Sequence, residues 1–302
     1  MNIKIGIAYH KACKFIKSDV YIPIQVGASR STCDLGIQRD DEGSNISADN
    51  AYCSEMSATY WLWKNVKSDY KGLFHYRRFL TFQKQSSFKR LGQLSLYIAS
   101  KLISPMVKDS RMKYFAFPNI TIGENQAESM LVSFSSELEK DIKDNDIDLY
   151  CSGFIKQSTY TMRTHLQRAI GFWHTNYIEK LIEELYPEFN EYFVETLKDN
   201  KFVGFNMIIA KEEVFDDYCK IMFGILEKYH EHMNEGVNAS RVNVAMLRDS
   251  GYIAELITDS YIRMLKNRGG KIKHLGCLNV DIELGGMSSK KQSIISKIKN
   301  RI

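Results

Sequence analysis

The segment GLFHYRRFL, Gly72–Leu80, passes from an apolar run into a histidine, a tyrosine and two adjacent arginines before it turns apolar again. What precedes it decides the fold. IKIGIAYH, Ile3–His10, is a β-type apolar run closed by polar His10 and Lys11, and it reads as a first, central strand. Between the two, ISADNAYCSEMSATYWLWKN, Ile46–Asn65, offers Ser47, Asp49 and Asn50 as N-cap candidates. Tyr52, Met56, Thr59, Tyr60 and Trp63 then share one face at helical spacing, a core stripe. Strand, helix and strand in this order form a βαβ unit, so the expected fold class is α/β, a sheet flanked by helices. Ligand sites in open α/β sheets form outside the carboxyl ends of strands, which is where His75, Tyr76, Arg77 and Arg78 fall. The alternative is a solvated strand end.

Outward from this unit, VYIPIQVGAS at 20–29 is a second extended piece, in which Pro23 and Gly27 suggest an irregular loop. The polar run STCDLGIQRDDEGSN after it is a loop able to approach a ligand. Residues 83–115 mix leucines and isoleucines with Lys89, Arg90, Lys101, Lys108 and Arg111. Such a basic, partly amphipathic helix can lie on an anionic bilayer or pack on the domain. Residues 124–146 read as an acidic helix, DIDLYCSGF as one strand, and about 158–173, 175–186 and 188–198 as helices. FVGFNMIIA reads as a single strand with Asn206 embedded, followed by helices over 211–233 and about 249–269. The expected organisation is one domain over 1–285, carrying a basic insertion at 83–145, and a basic tail over 286–302.

Composition narrows the partners. The chain has 302 residues, 44% hydrophobic and 25% charged, which is ordinary globular usage and enough length for a substantial core. A net charge of +5 with interleaved acids does not demand nucleic acid, whereas phosphate-bearing small molecules or an anionic lipid surface suit it. The six cysteines lack CxxC spacing and the N-terminus lacks a signal-peptide apolar region, so reduced thiols in a cytoplasmic protein are expected. No apolar run approaches the roughly 20 residues of a spanning helix, which limits membrane contact to the periphery. GxSxG and P-loop patterns are absent, and no DxD follows an apolar strand. His230 and His232 fall on different faces of a helix, so they make no metal pair.

YIPIQVGAS, ISADNAYCSEMSATYWLWKN and YKGLFHYRRF, in this order and with these gaps, resemble the signature of a bacterial domain-of-unknown-function family encoded in capsule, exopolysaccharide and O-antigen loci. The resemblance covers residues 3–80 and continues more weakly through FNMIIAKEEVFDDYC and AELI. The chain departs from it at Leu256, where members carry Arg, and in the length of 83–145. The resemblance implies a GT-A-like (Rossmann-like) mixed sheet flanked by helices and a glycosyltransferase of the hexosyl class. UDP-galactofuranose or another UDP-hexose would be the donor, and a lipid-linked or oligosaccharide glycan the acceptor. The enzyme would act in the cytoplasm or on the inner face of the cell membrane.

In GT-A enzymes a DxD at a strand end holds a divalent metal against the donor diphosphate. Here His75-Tyr76-Arg77-Arg78 takes that place, and guanidinium groups can bind phosphate oxygens bidentately, so no cofactor is required although Mg or Mn remains compatible. Successive strand residues point oppositely, so the two arginines need not both face the ligand. Glu255, which aligns with the family's helix, and Glu55 are the candidate catalytic carboxylates. His10, Gln25, Gly27 and Asn50 are candidate nucleotide-side residues, and Asn206 an acceptor- or sugar-binding one. Each of these has a structural alternative, as an arginine's partner or in loop packing. At the level of the whole protein the alternative is a non-catalytic carbohydrate- or membrane-surface-binding protein on a decayed transferase fold.

Overall fold

The structure, a computed structural model, describes residues 1–85, 91–95, 97–99, 113–157, 160–233 and 249–281. The expected tail at 286–302 and most of the basic segment at 86–112 lie outside the described residues. The front of the chain folds as its pattern dictates. Strand β1 (Ile3–Tyr9) pairs in parallel with β2 (Tyr21–Gln25) on one side and β4 (Tyr70–His75) on the other. A two-residue β3 (Gln38–Arg39) extends the edge beyond β2. The β2 segment is therefore a regular strand rather than an irregular loop, because Pro23 stands where its missing N–H interrupts little of so short a ladder.

Beyond β4 the sheet becomes mixed. β11 (Ile208–Lys211) runs antiparallel to both β4 and β8 (Leu149–Ser152). β12 (Ile272–Asp281) joins β8 along its first half, and β7 (Asn119–Gly123) and β5 (Arg78–Thr81) along its second. His75 pairs with Arg78, so β4, β11, β8, β12 and β5 close on themselves. Gly72 makes the β4–β11 approach possible: a Cβ there would sit 2.5 Å from the Ile208 carbonyl oxygen. A second sheet, β10 (Lys201–Val203), β9 (Phe154–Gln157) and β6 (Lys113–Phe115), is antiparallel throughout.

Helix α3 (Glu124–Asn145) buries Ala127, Leu131, Phe134, Leu138 and Ile142, one face at three- and four-residue steps, against β7 and β12. Residues 113–145, expected within an insertion, thus supply two strands and a helix integral to the sheets. The described helical residues 91–95 and 97–99 bury Tyr97 and leave Leu91, Leu94 and Ile98 exposed. α2 (Met56–Asn65) and α7 (Glu212–Met233) cover β4 from another side. The core stripe holds for Met56 and Thr59, with Trp61 and Leu62 buried beside them, while Tyr52, Tyr60 and Trp63 are half-buried. α4 (Met162–Ile170), α5 (Phe172–Leu185), α6 (Pro187–Lys198) and α8 (Asp249–Asn267) complete the second half, with α8 packed on α4, α6 and α7.

Two expected elements are divided. The 46–65 helix becomes a 3-10 turn at Ser47–Asp49, a four-residue α1 (Asn50–Cys53) and α2. The break is Ser54, at φ 51° and ψ −129°. None of the three N-cap candidates caps: Ser47 Oγ donates to Asp40, and Asn50 Nδ2 donates to the Ser54 carbonyl at 2.6 Å. FVGFNMIIA likewise splits into β10 and β11 at a corner where Phe205 (φ 76°) and Asn206 (φ 50°) are left-handed. DIDLYCSGF also divides, between β8 and β9.

Candidate functional site

The carboxyl ends of β1 and β4 lie side by side, with Ala8 opposite His75. An open cleft of about 710 Å³ forms there. It is lined by Ala8, His10, Val26, Asn50 and Ala51 from the first part of the chain and by His165, Phe205, Gly251, Tyr252 and Glu255 from the second. Glu55, His75, Tyr76 and Arg78 line it as well.

The helix break at Ser54 aims Glu55 into this space. Its Oε1 accepts from Asn206 Nδ2 at 3.0 Å and lies 3.8 Å from His75 Nε2. His75 Nε2 also stands 2.7 Å from the Phe205 carbonyl oxygen. A carbonyl can only accept, so this nitrogen carries the proton and its lone pair is not available to a metal. Glu255 Oε1 accepts from the Phe205 backbone N–H at 3.0 Å. α8 thereby fixes the left-handed corner from several positions. Glu255 holds Phe205 N, the Gly251 carbonyl accepts from Asn206 Nδ2 at 3.4 Å, and Asp259, fully buried, accepts from Val203 N at 2.8 Å. Among the described residues, three of the four non-glycine residues with positive φ (Ser54, Phe205, Asn206; the fourth is Asp146) are at this site, a clustering of sparsely populated backbone conformations of the kind found at functional sites.

The adjacent arginines diverge. Arg78 is exposed in the cleft, its guanidinium 4.7 Å from the centre of the Phe205 ring, and among the described residues no carboxylate is within ion-pair distance. Arg77 is not a cleft residue. Its guanidinium lies 5.0 Å from the Tyr76 ring centre, and its buried Nε has no hydrogen-bond partner among the described residues. Tyr76 meets His10 edge to face at 4.8 Å.

Of the expected residues, His10, Asn50, Glu55, His75, Tyr76, Arg78 and Glu255 are therefore brought to one cleft. Gln25 stands behind it, buried, with Nε2 donating to the Cys33 carbonyl at 2.7 Å and Oε1 accepting from Leu35 N at 2.9 Å. Asn206 is buried too, its amide occupied by Glu55 and Gly251. Gly27, at φ 66°, presents a bare backbone to Asn50, whose Oδ1 would be 2.7 Å from any Cβ. Sequence reasoning missed Asp40, which is fully buried and accepts from Gly27 N at 2.9 Å, Ala28 N at 3.0 Å and Ser47 Oγ at 2.5 Å. It locks the loop that frames the cleft. Nothing in the run Asp40-Asp41-Glu42 distinguishes it. His165, Phe205 and Tyr252 were missed as well.

Burial pushes the Cys53 thiol up to about 12, so this cysteine behind α1 is a protonated packing group rather than a nucleophile. His230 and His232 do point apart, His230 to Ser250 Oγ at 2.6 Å and His232 onto the Tyr177 ring. Among the described residues no group of three or more His, Cys, Asp or Glu side chains is arranged to hold a metal ion. No helix among them is long and apolar enough to cross a membrane. Chemically, the cleft combines a guanidinium with no carboxylate partner among the described residues, an imidazole and two carboxylates, which suits an anionic ligand beside a hydroxyl that must lose a proton.

Residues 4–267 match the model of a family described as a domain of unknown function (DUF4422). No curated protein sequence matches the chain. Among solved structures, the apo structure of the bifunctional glycosyltransferase WbbM is similar at 24% identity and a TM-score of 0.74, over 93% of this chain and 46% of that one. This chain thus spans about half the length of that protein. The likeness establishes a GT-A-like mixed α/β fold, as the sequence led us to expect.

Proposed function

The chain belongs to the DUF4422 family, and from that premise we propose that it is a hexosyltransferase moving a sugar from a nucleotide donor, a UDP-hexose such as UDP-galactofuranose, to a glycan acceptor of capsule, exopolysaccharide or O-antigen. The observation that carries this reading is the convergence of Arg78, His75, Glu55 and Glu255 at the carboxyl ends of β1 and β4. The nucleotide lies against His10 and Asn50, with Gln25 and Asp40 holding the loop around it. Arg78 binds the diphosphate oxygens, and His75, its Nε2–H held by the Phe205 carbonyl, positions the corner beside them.

In the transfer, the bond between the anomeric carbon and the phosphate oxygen breaks and its electron pair leaves with the nucleoside diphosphate. The acceptor oxygen forms the new bond to that carbon, and its proton passes to a carboxylate. Glu255 is that base. Glu55, held by Asn206, faces the positive character that develops at the anomeric carbon. The guanidinium of Arg78 supplies charge at the diphosphate, so turnover does not require a divalent cation. The working unit is one domain over 1–285, with the tail at 286–302 and the exposed apolar side chains near Leu91 serving a peripheral membrane contact close to a lipid-linked acceptor.

The test is release of nucleoside diphosphate from a panel of sugar nucleotides, repeated after exhaustive chelation and again with Mg²⁺ or Mn²⁺ restored. Release from at least one donor, unchanged by chelation, is expected. Release lost on chelation and recovered on metal addition overturns metal independence alone. UDP binding without release from any donor favours the non-catalytic alternative.

A further inference from the structure

The cleft wall formed by α4 and α8 carries aromatic rings that the transfer chemistry does not use. His165 and Tyr252 line it, their rings meeting edge to face at 6.2 Å. Tyr160 stacks on the far side of the set, 6.1 Å from His165 with the planes 8° apart. The Arg168 guanidinium covers Tyr160 at 4.6 Å. His165 and Arg168 are three residues apart on α4, and Tyr252 and Glu255 three apart on α8, so each pair shares a helix face. A strip therefore runs Arg168, Tyr160, His165, Tyr252 and ends beside Glu255. Tyr252 is 40% exposed, a large ring held at the cleft rim.

We infer that this strip is the acceptor subsite, on which an oligosaccharide chain lies with the C–H faces of its sugar rings against Tyr160, His165 and Tyr252. Aromatic rings with a polar edge suit sugars, which present an apolar face and a rim of hydroxyls. Arg168 and the tyrosine hydroxyls serve that rim. The rings succeed one another outward from the cleft, which fits a chain rather than a single base. The inference rests on the transferase reading and adds the direction from which the acceptor enters.

Wild-type protein, Tyr160→Ala and Tyr252→Ala are compared on an array of bacterial surface oligosaccharides, with UDP affinity measured in parallel by calorimetry. Wild type is expected to retain at least one oligosaccharide, and each alanine variant to weaken that binding about tenfold. Tyr160→Ala should keep wild-type UDP affinity, and Tyr160→Phe and Tyr252→Phe, which preserve the rings, should keep glycan binding. Exposed Tyr252 provides a variant that folds even where Tyr160→Ala does not. Wild-type binding of UDP but of no oligosaccharide, or unweakened glycan binding in both alanine variants, overturns the inference. Failure of wild type to bind UDP strikes the donor reading alone, since the oligosaccharide comparison is read separately.

Discussion

Arg77 and Arg78 are neighbours in sequence and opposites in surroundings. The two-residue turn between β4 and β5 separates them: Arg77 sits in the turn against Tyr76, and Arg78 opens β5 and enters the cleft over Phe205. The sequence could say that at most one arginine need face a ligand, but which one depends on the β4–β5 turn and on the pairing of Arg78 with both His75 and Asn279. The same limit explains Asp40 and Asn206. Both are polar residues whose role is set by backbone groups distant in sequence, and no local spacing encodes that. Glu55 and Glu255 were legible as carboxylates, whereas the Phe205 N–H that holds one and the Asn206 amide that holds the other were not. A lysine keeps the charge and loses the planar fork. Arg78→Lys is accordingly expected to lower kcat/KM about tenfold to a hundredfold, and Arg77→Lys far less. Steady-state rates on the donor identified above check this, and equal losses in the two variants would contradict the assignment to Arg78.

At the scale of elements, the periodic segments were the legible ones. α3, α5, α6, α7 and α8 fall close to their expected spans because each carries a buried face at helical spacing long enough to be read. The breaks were not legible, since Ser54 interrupts a sequence whose helical periodicity continues through it, and Phe205 interrupts an apolar run. In both cases tertiary hydrogen bonds override local preference, and in both the interruption delivers a side chain or a carbonyl to the cleft. Ser54 at φ 51° and ψ −129° occupies a region that glycine enters freely and a side chain resists. Ser54→Gly is expected to be neutral to stabilising by about 1 kcal/mol, while Ser54→Val is expected to destabilise by at least that much. Denaturant unfolding of both variants measures it. A valine variant as stable as wild type would mean that the kink carries no strain.

At the scale of the whole molecule, β12 is an element the sequence reading lacked, as it lacked β6 and β7, although β12 joins three other strands. It follows the Gly269-Gly270 turn and opens on Ile272 flanked by Lys271, Lys273 and His274, so a continuous apolar signal starts only at Leu275, and the ladder that stabilises it comes from segments more than a hundred residues away. The exposed Leu91, Leu94 and Ile98 give the molecule one apolar surface next to a basic stretch of sequence. If this surface meets a bilayer, the protein co-sediments with anionic vesicles and dissociates as salt screens the attraction, and Leu91→Asp with Ile98→Asp abolishes the binding; equal retention on neutral vesicles would argue for packing alone. Behind α1, a second cavity of about 330 Å³ is lined by Tyr52, Cys53, His174, Tyr229, His230, Asp49 and Asp249 among others. Burial raises the Asp249 carboxyl to about 6, although Tyr229 OH donates to it at 3.0 Å. The unfolded chain ionises this group near 3.8, so between pH 4 and 6 the unfolded state sheds a proton that the folded state keeps. Stability from this residue is therefore full below pH 4 and lost as pH rises through 6, by roughly 2–3 kcal/mol. Asn keeps an acceptor for Tyr229 and cannot ionise. Asp249→Asn should consequently unfold at higher temperature than wild type at pH 7.5 and lose that advantage at pH 4. Burial lowers His230, which is present in both proteins. Thermal unfolding of the pair across pH 4 to 8 reads the result directly, and a difference in Tm that does not change with pH would show that Asp249 is not held protonated above its ordinary range.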